Sequence, residues 1–112
     1  MKHERHPSGV LVLQPDGPRL DAATCDPLKD ALFEQISDGE HQLCLNLSDV
    51  ESMDSSGLGV LIGAIRQVAG RGEIRLTHVR PEIRNLLQMT NVGSLFRIMD
   101  SLEDDEDPSP TA

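Results

Sequence analysis

Apolar residues in this chain change their spacing several times along the sequence, from the strand's period of two to the helix's three and four. That switching restricts the fold more than any other feature. Gly9 to Gln14 reads G-V-L-V-L-Q, a short β-branched apolar run that stops at the turn-forming Pro15-Asp16-Gly17-Pro18. From Thr24 onward, Leu28, Ala31, Leu32 and Ile36 recur at helical spacing with Gln35 as a polar interruption, and Ser37-Asp38-Gly39-Glu40 closes the segment. Thr24 is placed to cap this helix, and Pro27 falls in its first turn, where a missing N–H costs nothing.

The pattern then repeats. Gln42 to Leu47 alternates, apolar at 43, 45 and 47, as a half-buried strand does. Met53 to Gly57 leads into Leu58, Leu61, Ile62, Ile65 and Val68, a second helical stripe closed by Gly70 and Gly72. Ile74 to Val79 alternates again, Pro81 opens a third helix through Ile83, Leu86 and Leu87, and Leu95 to Met99 reads as a last strand. Strands alternating with helices predict an α/β fold, a mixed and largely parallel β-sheet of four to five strands with helices packed on it.

With 112 residues, one domain over 1–100 accounts for the chain. Residues 101–112 read as an acidic, disordered tail, because Glu103, Asp104, Asp105, Glu106 and Asp107 leave little apolar surface to bury. Aromatic residues make up 2% of the chain, with no Trp or Tyr, so the core falls to Leu, Ile, Val and Ala, with Met53, Met89 and Met99 as filler. Nothing remains to stack on bases. The net charge of −9 repels phosphate backbones and anionic lipid, so neither nucleic acid nor a membrane is expected as partner.

Cys25 and Cys44 are far apart and form no C-x-x-C, which fits free thiols. The charged start Lys2-His3-Glu4-Arg5-His6 is not a signal peptide, and no apolar run nears the roughly 20 residues that span a bilayer, so a cytoplasmic protein is expected. His3, His6, His41 and His78 are scattered and predict no metal site. No glycine-rich phosphate loop and no nucleophile with a base partner is present, so neither a cofactor nor an enzymatic activity is expected.

The informative stretch is Met53-Asp54-Ser55-Ser56-Gly57-Leu58-Gly59, at the mouth of the second helix. Unpaired N–H groups and the positive end of the helix dipole favour an anion there, so a phosphate on Ser55 or Ser56 would be tolerated. Gly57 and Gly59 allow another backbone to approach the turn. The plainer alternative makes Ser55 a helix cap and the glycines a means of close helix-on-sheet packing. Residues alone leave both open.

The run M-D-S-S-G-L-G-V-L-I-G after Leu45-Asn46-Leu47 resembles the signature of the STAS domain, the fold of bacterial anti-sigma factor antagonists. The likeness extends from about Val10 to Met99, with Gly17 and Leu20-Asp21 similar to the turn before the family's first helix. Pro18 and Arg19 depart from that turn, and Lys2 to Pro7 stands where a first strand would be short or replaced. The resemblance implies Ser55 as phosphoacceptor, with Ser56 as fallback, and Asp54, Ser56, Gly57, Leu58 and Asp21 as partner-binding residues. The alternative readings are that Asp54 only hydrogen-bonds the turn and Asp21 only orders its loop.

The implied partners are a serine-kinase anti-sigma factor, bound by the unphosphorylated form so that a sigma factor is released, and a phosphoserine phosphatase that reverses the modification. A regulatory or structural subunit of a transporter or membrane-lipid system is the alternative the same fold allows.

Overall fold

A computed structural model describes residues 1–100, and the tail expected over 101–112 lies outside the described residues. Seven strands and three helices follow in the order β1 (Lys2–Arg5), β2 (Leu11–Gln14), β3 (Arg19–Leu20), α1 (Asp26–Ser37), β4 (Gln42–Asn46), β5 (Ser52–Met53), α2 (Ser55–Val68), β6 (Glu73–Thr77), α3 (Pro81–Met89) and β7 (Arg97–Met99). The main sheet has the order β1-β2-β4-β6-β7. β2, β4, β6 and β7 pair in parallel and β1 joins β2 antiparallel, which is the mixed, largely parallel sheet expected of the α/β pattern.

Period-two alternation sorts the sheet's side chains. Leu11 and Leu13 of β2, Leu43 and Leu45 of β4, and Ile74 and Leu76 of β6 point to one face and join Leu28, Leu32, Leu61, Ala64, Ile83 and Leu87 from all three helices in one core. Each fully buried leucine contributes about 1.5–3 kcal/mol relative to exposure. The opposite face carries a smaller cluster of Val10 and Cys44 with Val12 and Met99 against it. Cys25 and Cys44 are both buried, and no disulfide joins them.

Three expectations need correction, and one alternative is resolved: of a first strand short or replaced over Lys2 to Pro7, the short one is present, with Lys2–Arg5 an edge strand in register from Lys2↔Gln14 to Arg5↔Leu11. Its four side chains are all exposed, so no apolar periodicity marked it. Thr24 does not cap α1: the cap position is Cys25, without a side-chain bond, and the Thr24 hydroxyl instead shares its proton between the Arg19 carbonyl at 2.8 Å and Asp21 Oδ1 at 3.1 Å. Leu95 ends a short 3-10 turn at Gly93–Leu95, and only Arg97–Met99 is strand. Met89 is 81% exposed and fills no core.

Candidate functional site

β3 and β5 are two residues each, and their parallel pairing, Arg19↔Ser52 and Leu20↔Met53, fixes the approach to α2. The Asp54 amide extends that ladder by donating to the Leu20 carbonyl at 3.2 Å. Asp54 then holds an extended backbone, φ −108° and ψ −170°, and its side chain caps the helix. Oδ1 accepts the Ser56 amide at 2.8 Å and the Gly57 amide at 3.2 Å, while the Asp54 carbonyl accepts the Leu58 amide at 3.0 Å. Two of the helix's orphan donors are satisfied by one carboxylate.

Ser55 is therefore the first helical residue and not the cap. It is exposed, and among the described residues its hydroxyl has no hydrogen-bond partner. The plain reading of Ser55 as a cap is corrected by this geometry, because the neighbouring carboxylate already performs that task. A short side chain at the positive end of α2, uncommitted and facing solvent, is well placed to be modified.

The other predicted site residues divide. Asp54 and Asp21 line one shallow cavity of about 180 Å³ together with Arg19, Ser52 and Met53. Ser56 is half-buried and lines a different cavity, between α1 and α2. Gly57 and Leu58 turn inward and are buried. A Cβ on Gly57 would lie 2.5 Å from the Leu20 carbonyl oxygen and 2.9 Å from Met53 Cγ, so α2 can approach β3 this closely only with glycine there.

Asp21 orders its own loop. Oδ1 accepts the Ala23 amide at 2.9 Å and the Thr24 amide at 3.1 Å, and the Thr24 hydroxyl lies 3.1 Å away. The Thr24 hydrogen bond above all, aided by these amides and by Arg19, holds the Asp21 carboxyl below the usual carboxylate range. Arg19 Nε sits 3.7 Å from Asp21 Oδ2. Arg19 and Ser52 belong to the site but carry no signal in sequence, since a two-residue strand pair has too few positions to show a period.

A family model described as the STAS domain matches residues 3–105. The chain belongs to the STAS domain family. This STAS domain is 32% identical over 103 residues to the anti-sigma F factor antagonist of Paenibacillus polymyxa, covering 90% of this chain and 85% of that one. An anti-sigma factor antagonist from Mycobacterium paratuberculosis superposes with a TM-score of 0.81 at 25% identity, over 92% of this chain and 86% of the other. A Bacillus cell fate determinant in its phosphorylated form superposes with a TM-score of 0.71 at 22% identity, over 94% and 96% of the two chains. No helix among the described residues of this STAS domain is long and apolar enough to cross a membrane.

Proposed function

We propose that this STAS domain is an anti-sigma factor antagonist switched at Ser55. Unphosphorylated, it binds a serine-kinase anti-sigma factor and frees a sigma factor. The Ser55 Oγ then attacks the γ-phosphorus of the kinase's ATP, ADP leaves, and the hydroxyl proton passes to a base of the kinase. A phosphoserine phosphatase restores the hydroxyl. The domain itself works by binding in the cytoplasm and catalyses nothing.

The observation that carries this reading is the division of labour between Asp54 and Ser55, in which the carboxylate caps α2 and leaves the exposed hydroxyl uncommitted. A phosphate adds about −1.5 to −2 charge on a contact surface, next to the Asp54 carboxylate, where repulsion and desolvation oppose the complex. About 3–4 kcal/mol suffices for a few-hundred-fold loss of affinity. The fold does not have to rearrange. The curated relative's name favours this reading over a transporter subunit.

Incubation with a serine-kinase anti-sigma factor and ATP tests it. The expected product carries one phosphoryl group on Ser55, and Ser55→Ala carries none. Equal labelling of Ser55→Ala contradicts the assignment.

A further inference from the structure

Sheets of parallel strands are ordinarily covered on both faces, and β2, β4, β6 and β7 run parallel. All three helices pack on one face, in the large core. The far face shows Val12 of β2, Cys44 of β4, Arg75 of β6 and Arg97 of β7 side by side in register, with Thr77 and Met99 beside them. No helix residue belongs to the apolar cluster there, which holds Val10, Val12, Cys44 and Met99.

Side chains stand roughly perpendicular to a sheet, so on a face open to water their tips meet solvent. These do not. Cys44 is 0% exposed, Val10 and Thr77 are 3% each, and even the charged Arg75 is only 8%. The Cys44 thiol and the Thr77 hydroxyl, 3.8 Å apart, are buried in the middle of this face. Something lies over them, and no helix among the described residues does.

The course of the chain supplies a cover. β7 ends at Met99, whose side chain already joins the far-face cluster, and residues 101–112 follow. Leu102 is the one large apolar residue among them, three positions past Met99, a reach of about 10 Å. β4 stands two strands in from β7, which is also about 10 Å. Leu102 can therefore be seated over Cys44.

Charge agrees with that path. The β6–β7 half of the far face carries Arg75 and Arg97, with Glu73 Oε2 at 3.2 Å from a guanidinium nitrogen of each. That half bears two positive charges and one negative. Residues 103–107 are five carboxylates in a row, E-D-D-E-D, so the composition that made this segment read as a disordered tail also suits it to the basic strip beside which it starts.

We infer that residues 101–107 lie across the far face of the sheet, with Leu102 over Cys44 and the acidic run against Arg75 and Arg97. The segment is a latch, held by one apolar anchor and by ion pairs that salt weakens, and it closes this face to other proteins.

Thiol labelling of the full-length protein under native conditions tests it, with Cys25 as the internal control because it is buried in the helix-side core. Iodoacetamide labelling is followed at each cysteine by mass spectrometry in wild type, in Leu102→Ser, and in a variant combining Glu103→Gln, Asp104→Asn, Asp105→Asn, Glu106→Gln and Asp107→Asn. Leu102→Ser is expected to speed labelling of Cys44 about tenfold or more and to leave Cys25 unchanged, as local opening of one face requires. The charge-neutral variant is expected to speed Cys44 several-fold at low salt, and about 1 M salt to do the same to wild type. Unchanged labelling of Cys44 in either variant would overturn the latch. Equal acceleration of Cys25 would overturn it too, since the segment would then steady the whole fold and not cover this face. Labelling of Cys44 that slows as protein concentration rises, with a dimer in sedimentation, would assign the cover to a second copy and overturn the segment as occupant.

Discussion

The Asp54 carboxylate accepts the backbone amide of Ser56 at 2.8 Å, so the acid next to the exposed serine is occupied in holding the helix. The hydroxyl that a kinase would use and the group that stabilises the helix start are thus different residues, one position apart. Modifying the first need not unfold the second.

Asp54→Ala is expected to cost about 1 kcal/mol, the usual worth of a side-chain cap. For a domain of this size that lowers the melting temperature by about 4–8 °C. Asp54→Asn keeps an accepting oxygen and is expected to lose less. Thermal unfolding of the three proteins checks the ranking, and an Asp54→Ala variant as stable as wild type would remove the capping role.

Gly57→Ala and Gly59→Ala are expected to move stability in opposite directions. The first drives a methyl against the Leu20 backbone, which cannot swing aside as a side-chain tip would, and such overpacking costs about 1–3 kcal/mol. The second meets open space and gains about 0.5–1 kcal/mol of helix preference. Urea titration of the pair separates them, and two shifts of the same sign would contradict the geometry.

Asp21 gives the acid limb of stability a specific contributor. Its folded carboxyl titrates below the ordinary range, chiefly because the Thr24 hydroxyl bonds the ionised form. The sign follows from linkage: the stabilisation is fully present above about pH 4 and is lost as the pH falls through the lower, folded value. Asp21→Asn is expected to flatten the stability profile below about pH 4 relative to wild type, with little change in slope near neutrality. Unfolding midpoints across that range check it, and parallel profiles would contradict it.

Ser55→Asp places a negative charge at the first helical position, where the dipole favours it while Asp54 opposes it. The expected far-ultraviolet circular dichroism and melting temperature are those of wild type. Collapse of the fold would mean that the Ser55 hydroxyl is structural after all.

Helix and strand periods made most of this architecture legible. Leu43, Leu45 and Leu47 point inward as alternation requires, and Leu58, Leu61 and Val68 line the buried side of α2. Whether Lys2 to Pro7 kept a strand was not legible, because an edge strand with four exposed polar side chains has no apolar signature, only backbone pairing. The β3–β5 pair is too short for any period, although it decides where α2 begins. At the candidate site, D-S-S-G marks a helix start, and the structure begins α2 there. Which of Asp54 and Ser55 would cap, however, depended on the extended backbone at residue 54, and both residue types favour that position. Gly57 and Gly59 look alike in sequence and differ only in what stands opposite them.

In the proposed switch, a phosphate on Ser55 excludes a partner that the bare hydroxyl admits. The most direct measurement titrates the serine-kinase anti-sigma factor, with ADP bound, into the unphosphorylated protein and into protein stoichiometrically phosphorylated on Ser55. Tight binding of the first is expected, with an affinity for the second lower by a few hundredfold, about 3–4 kcal/mol. Equal affinities for the two forms would contradict it.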